Sequence, residues 1–222
     1  MPLCFDLDGT LGSFGGGYAL LRQALGSLWG QEPTVEDLMS CKGSTDWEIV
    51  DELHRRILGT PLAEDDYERY DRACLALFQA AFYPGGRQPV VFQGIISGMT
   101  HLLDKGHRLQ LVSGNTPGVL EFKAKALGLD PRVRLLGSLP HLDRASLILR
   151  ALEDGPGPHL YVGDRPHDHA AAMAAGLPFL GVGDAVPGDH PILSVDAEAE
   201  HLVQAVEALL ADQSTVKEAR NA

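Results

Sequence analysis

Cysteine and positive charge are both scarce in this chain of 222 residues. Its three cysteines, Cys4, Cys41 and Cys74, stand far apart, with no Cys-x-x-Cys pair and no histidine-rich partner. That excludes a disulfide framework and a zinc site of the usual spacing. Lys and Arg number 18 against 30 Asp and Glu, a formal net charge of −12. Such a balance excludes a non-specific grip on DNA, RNA or an anionic membrane, whose phosphates demand Lys and Arg. A small phosphate or a metal can still be held in one local site. No apolar run approaches the roughly 18–20 residues that cross a bilayer. The first residues run straight into an apolar strand with no basic region or small-residue cleavage site before it, so no signal peptide is expected. The expectation is a reduced, cytoplasmic, soluble protein.

What is present argues for a folded α/β chain. Hydrophobic residues make up 45% of it, which rules out wholesale disorder and allows a real core in one or two domains. Short apolar runs recur: Leu3–Phe5, Leu109–Val112, Val133–Leu136, Leu160–Val162 and Phe179–Val182. Between and after the later ones lie helical patterns near 117–127, 144–153, 168–175 and 197–211. Strands alternating with helices predict a parallel sheet covered on both faces, with function beyond the carboxyl ends of the strands. From Gln213 onward the chain reads as a frayed polar tail.

Residues 14–92 break the alternation. Helical patterns near 18–29, 34–40, 46–58 and 64–82 follow one another there with no convincing strand. Between Gln31 and Arg72 stand 12 acids against five bases. Glycine-rich turns, Gly15-Gly16-Gly17 and Pro84-Gly85-Gly86, bound the segment. It reads as a helical module inserted after the first strand, with 1–13 and 93–222 forming the α/β core. Trp29 and Trp47, with Leu28, Leu38 and Ile49, read as the interior of that module.

Carboxylates gather where strands end. Phe5-Asp6-Leu7-Asp8-Gly9-Thr10-Leu11 closes the first strand. Two Asp spaced by one residue would share a strand face, about 6.6 Å apart. Carboxylates that close repel, unless a cation neutralises them or one keeps its proton. Both outcomes suit phosphoryl transfer, with one carboxylate as nucleophile and the other moving protons. Alone, the motif is equally a turn-rich strand exit. A second strand ends in Val162-Gly163-Asp164-Arg165-Pro166-His167-Asp168, and a parallel sheet would bring Asp164 and Asp168 to the same edge. Four acids there predict a divalent cation such as Mg²⁺. A third strand end, Val112-Ser113-Gly114-Asn115-Thr116-Pro117, offers a hydroxyl and backbone N–H groups at a helix start, a phosphate cradle or a routine helix cap.

In combination these motifs resemble the haloacid dehalogenase superfamily of phosphohydrolases, over the whole chain. The resemblance implies a Rossmann-like three-layer core with an inserted all-helical cap, and a Mg²⁺-dependent phosphatase acting on a small, phosphoglycolate-like phosphomonoester. Asp6 would form an aspartyl-phosphate, while Asp8 would protonate the leaving group and then activate water. Asp6, Asp8 through its backbone carbonyl, and Asp164 would bind Mg²⁺, with Asp168 in support. Ser113, Gly114 and Asn115 would hold phosphate. Having Asp8 speaks against the dehalogenating branch.

The third motif departs from the family pattern. Where a Lys is usual, Leu139-Pro140 carries no charge, and Arg144 or Lys123 is left to clamp the phosphate. An inward Lys123 requires a carboxylate partner; otherwise Arg144 lies on a helix surface and Lys123 reaches solvent. In the cap, the loop Met39–Asp46 with Gly43 would lie over the site. Lys42 there would contact an anionic leaving group or simply be an exposed loop residue, with Asp46 capping a helix. His167 and His169 read as surface histidines. Gly181-Val182-Gly183 lacks the third glycine of a dinucleotide loop, and Lys42-Gly43-Ser44 reverses a Walker loop. A sugar phosphomutase, a phosphonate hydrolase and a non-catalytic binding module are the rival readings. The partner is a small phosphorylated metabolite, with no nucleic acid or membrane, and the chain is a monomer or homodimer.

Overall fold

The computed structural model describes residues 2–82, 85–152, 159–186 and 188–221, with backbone alone at 2 and 213–221. Pro84 of the second glycine-rich boundary and Glu153, the expected end of a helix, lie outside the described residues. Six parallel strands form the main sheet in the order β5-β4-β1-β6-β7-β8. They are β1 (Pro2–Phe5), β4 (Arg108–Val112), β5 (Arg134–Leu136), β6 (Leu160–Gly163), β7 (Phe179–Val182) and β8 (Ile192–Leu193). β2 (Gly12–Ser13) and β3 (Val90–Val91) pair antiparallel as a separate ribbon. The helices are α1 (Gly17–Trp29), α2 (Val35–Met39), α3 (Asp46–Leu58), α4 (Glu64–Phe82), α5 (Gln93–Asp104), α6 (Pro117–Ala126), α7 (Arg144–Leu152), α8 (Pro166–Ala174) and α9 (Ala199–Asn221).

Alternation along each strand explains the three layers. Leu3, Phe5, Leu109, Leu111, Leu160, Val162, Leu180 and Val182 point to one face, and they pack with α5 and α9. Cys4, Val112, Tyr161 and Phe179 point to the other, where α7 and α8 cover them. Register sets the functional edge. Phe5 stands beside Leu111 on one side and Val162 on the other, so the chain leaving β1, β4 and β6 emerges at one end of the sheet.

The insert, α1–α4, lies between β2 and β3. Thr34 and Thr45 start α2 and α3 as reciprocal caps with Asp37 and Glu48, and Gly30 and Gly59 end α1 and α3 in the left-handed region. Thr45, rather than Asp46, is therefore the cap of α3, and Asp46 is its first helical residue. Leu21, Leu25, Trp47, Tyr67, Tyr70 and Phe78 fill the insert and continue into the buried cluster of the sheet through Val119 and Leu120 of α6. Trp29, Trp47, Leu38 and Ile49 belong to this interior, but Leu28 does not: it stands exposed on α1. The insert thus shares one buried cluster with the core.

The structure adds elements that periodicity does not reveal. β2, β3 and β8 are two residues each, too short to show alternation. β3 falls inside 14–92, which was expected to hold no strand. α5 carries Gly94 and Gly98, poor helix formers. Gly94 is required by packing, since a Cβ there would stand 1.8 Å from the carbonyl oxygen of Ala197. α9 runs on to Asn221 where a frayed tail was expected. Replacing Gly94 with Ala should lower stability by about 1–3 kcal/mol, because backbone that cannot yield meets the new methyl. An unchanged melting temperature for that variant would mean that α5 can slide away from α9.

Candidate active site

Asp6 follows β1 directly, and its N–H donates to the Val162 carbonyl at 2.8 Å, which holds it in register with β6. The chain then turns: the N–H groups of Thr10 and Leu11 both donate to the Leu7 carbonyl. Gly9 makes the turn at φ +88°, and a Cβ on it would stand 2.0 Å from Asp164 Oδ2. Strand β1 thus ends before either acid. Asp6 and Asp8 do not share a strand face; the turn sends them to different partners.

Asp6, Asp164 and Asp168 offer one carboxylate oxygen each within 4.8 Å of one another, and all three are buried. Asp168 is fixed by its place in α8: Oδ2 accepts the Arg165 N–H at 3.1 Å, and Oδ1 accepts Arg144 Nη1 at 2.8 Å. The same Nη1 donates to Asp6 Oδ1 at 2.9 Å and to the Tyr161 hydroxyl at 3.2 Å. Among the described residues Asp164 Oδ1 is buried with no partner, while Oδ2 meets exposed Arg165 at 3.0 Å. Burial first, and then the charge of Asp168, pushes the Asp6 carboxyl up to about 6. Burial and then Asp6 push Asp164 up to about 7. Three packed acids and one orphaned oxygen are the hard-oxygen donor set of a divalent cation, and they fit one.

Asp8 stands apart from this cluster, so the expected convergence of four carboxylates is a convergence of three. Its Oδ2 accepts Lys123 Nζ at 2.6 Å and Asn115 Nδ2 at 2.8 Å. Asn115 Nδ2 also donates to Ser113 Oγ at 2.7 Å, and Asn115 Oδ1 accepts Lys123 Nζ at 2.7 Å. Lys123 is 3% exposed and sits between the rings of Phe14 and Phe78, 5.3 and 4.8 Å from their centroids. Asp8 is thus the carboxylate partner that an inward Lys123 requires.

Arg144 and Lys123 divide the work between them, Arg144 at Asp6 and Lys123 at Asp8. The backbone after Ser113 is less open than a phosphate cradle at a helix start. The Thr116 N–H donates to Asp46 Oδ2 at 3.0 Å, and the Gly118 N–H to both oxygens of Asp71 at 3.2 Å. Both acids come from the cap, and they take first-turn donors of α6.

The loop before α3 does lie over the site. The Ser44 carbonyl accepts Arg144 Nη2 at 2.9 Å, and the Asp46 N–H donates to the Gly114 carbonyl at 2.7 Å. A Cβ on Gly114 would be 2.5 Å from Ser44 O. The Trp47 N–H donates to Ser138 Oγ at 2.9 Å, and its ring stacks edge-on with His141. Gly43 packs on Glu48, where a Cβ would come within 2.4 Å. Lys42 is exposed, and among the described residues its hydrogen bonds run from its backbone N–H to Glu52. His167 is half-exposed with Nε2 3.7 Å from Asp168 Oδ1, and burial, then Arg144, holds it down to about 4. Sequence reasoning missed Tyr161, Asp71 and Ser138 as neighbours of the site; each sits in an ordinary strand, helix or loop pattern with no motif to mark it.

A family model described as haloacid dehalogenase-like hydrolase matches residues 3–182. Among solved structures, a hydrolase from Pseudomonas syringae aligns with a TM-score of 0.62 at 19% identity, over 92% of this chain and 90% of that one. A predicted phosphoglycolate phosphatase from Haemophilus somnus 129PT aligns at 0.56 and 20% identity, over 90% and 89%. CbbY from Rhodobacter sphaeroides, solved with phosphate, aligns at 0.60 and 20% identity, over 88% and 94%. At these identities the likeness is one of fold. No curated protein matches the chain by sequence.

A pH dependence follows from the buried acids. Carboxyls raised from about 3.9 when unfolded to about 6 and about 7 when folded bind protons more tightly in the native state. Their contribution should therefore favour the metal-free fold at low pH and be lost as pH rises from about 4 through about 7. With Mg²⁺ as probe, the stabilisation should be larger at pH 7.5 than at pH 5, since the ligand oxygens must be deprotonated. At a hundred times its dissociation constant it would reach about 2.7 kcal/mol. Thermal unfolding in chelator, then with added cation, measures both; equal gains at the two pH values would contradict this account.

Proposed function

Because the chain belongs to the haloacid dehalogenase-like hydrolases, we propose that it is a Mg²⁺-dependent phosphatase that hydrolyses a small phosphomonoester through an aspartyl-phosphate on Asp6. The observation that carries this reading is the buried triad of Asp6, Asp164 and Asp168 with its orphaned oxygen, set beside an Asp8 held by a buried lysine. Asp6, Asp164 and the Asp8 backbone carbonyl would hold the cation, with Asp168 in support. When bound, Mg²⁺ supplies positive charge against the carboxylates and the phosphoryl oxygens.

The chain's own groups do the rest. Asp6 attacks phosphorus in line, forming a phosphorus–oxygen bond as the bond to the leaving oxygen breaks. Asp8 gives its proton to that leaving oxygen. A water then attacks the phosphorus of the aspartyl-phosphate and yields its proton to Asp8. The bond to Asp6 breaks, inorganic phosphate departs and both carboxyls return to their starting states. Lys123 and Asn115 hold Asp8 Oδ2, which leaves Oδ1 free to move the proton. Arg144 fixes the Asp6 carboxylate and steers the phosphoryl oxygens. Ser113, Gly114 and Asn115 complete the phosphate pocket.

In this reading residues 14–92 act as a cap that opens to admit substrate and closes to exclude water, hinging at its glycine-rich boundaries. The phosphonate reading gains no contact: Lys42, the one lysine between 14 and 92, is exposed, and among the described residues its ammonium forms no ion pair. Three free cysteines accord with a reduced cytoplasmic setting. No described helix is long and apolar enough to cross a membrane.

Substituting Asp6 with Asn should cut turnover of a generic aryl phosphate by at least about 10³-fold while far-ultraviolet circular dichroism keeps its wild-type shape. Undiminished phosphate release by that variant would remove Asp6 from the nucleophile's role.

A further inference from the structure

The cap loop over the site has spent its backbone N–H donors from Lys42 to Asp46. The N–H groups of Lys42 and Gly43 go to Glu52, those of Ser44 and Thr45 to Glu48, and that of Asp46 to the Gly114 carbonyl. The Thr45 hydroxyl reaches Glu48 as well. Acceptors are what the loop turns toward the core: the Ser44 carbonyl and the Asp46 carboxylate. Asp46 Oδ2 holds the Thr116 N–H, and among the described residues Oδ1 has no donor.

Charge around the proton-moving carboxylate runs the same way. Lys123 pairs with Asp8 and also acts on Asp46, which in turn feels the like charges of Asp8 and Asp71. Lys123 is already committed to Asp8 and Asn115, and both Nη groups of Arg144 to Asp6, Asp168 and Ser44. That leaves the buried Arg144 Nε as the guanidinium donor without a partner among the described residues, on the side chain assigned to the phosphoryl oxygens. Lys42, the cation expected to greet an anionic leaving group, is exposed, and among the described residues its ammonium has no partner. With the Ser44 carbonyl lying this close over Gly114, a leaving group must also be small or must lift the cap.

Resting on the phosphatase reading, we propose that the substrate is the phosphate ester of a small alcohol with no negative charge beyond its phosphate, a polyol or an amino alcohol. Hydroxyl and ammonium donors would satisfy Ser44 O and Asp46 Oδ1. A carboxylate in their place would face the Asp46 carboxylate and the Ser44 carbonyl, with Lys123 Nζ already engaged by Asp8 and Asn115, the arrangement that discriminates against a wrong partner. This departs from the phosphoglycolate-like substrate that the motifs suggest.

The experiment measures kcat/KM for glycerol 3-phosphate and phosphoethanolamine against phosphoglycolate and 3-phosphoglycerate, with Mg²⁺ and wild-type protein. A parallel assay with p-nitrophenyl phosphate reports on the parent reading. Tenfold or greater preference for the first pair is expected. If the aryl phosphate is turned over, then equal rates, a reversed order or no turnover of either pair overturns the inference and leaves the phosphatase standing. If the aryl phosphate is not hydrolysed, both fall. The Asp46→Asn variant, checked for folding by its melting curve, should narrow the preference at least threefold. Asp71→Asn is the second variant, and an unchanged ratio in both would remove the cap acids as its cause.

Discussion

Three buried carboxylates and one guanidinium govern this structure. Asp6, Asp164 and Asp168 could not be packed within 4.8 Å of one another without opposing charge, and Arg144 supplies only part of it. The deficit shows in two upward-shifted carboxyls and in an Asp164 oxygen left without a partner. A divalent cation is the group that closes such a deficit. The fold serves this arrangement: parallel strands deliver Asp6 and Asp164 to one edge, and α8 holds Asp168 by its own first turn.

Arg144 also joins the two parts of the molecule. One nitrogen holds the core acids, and the other holds a cap carbonyl, so the seating of the lid and the orientation of Asp6 share a single side chain. Asp46 and Asp71 add a second tie by occupying N–H groups at the start of α6, where the helix dipole favours negative charge. Opening the cap would free those donors and bare the acidic loop together. In the proposed reading, closure and substrate choice would be aspects of one set of contacts.

Much of the fold is legible in the chain itself. The apolar runs at Leu3, Leu109 and Leu160 alternate faces as strands do, and Thr34 and Thr45 mark helix starts by their spacing to Asp37 and Glu48. Other parts are hidden for identifiable reasons. α5 is obscured by glycines that its contact with Ala197 demands, and β2, β3 and β8 are too short to have a period. Tyr161 reads only as a strand residue, yet its hydroxyl accepts from Arg144. Lys123 and Arg144 could both be suspected as cations, but their division of labour could not, because it depends on where α6 and α7 meet the sheet.

Local order in the chain determined the strand–helix alternation, the acids at strand ends and the inserted helical segment, since periodicity and short motifs depend on near neighbours. It also determined that Gly9 must turn the chain beside Asp8. Tertiary structure alone decided that Asp6 and Asp8 part company, one to Arg144 and the cation cluster, the other to Lys123. It alone decided that the cap turns acceptors rather than Lys42 toward the site. Both outcomes rest on contacts between residues up to 138 positions apart in sequence, and no local pattern encodes which charge will be spent on which partner.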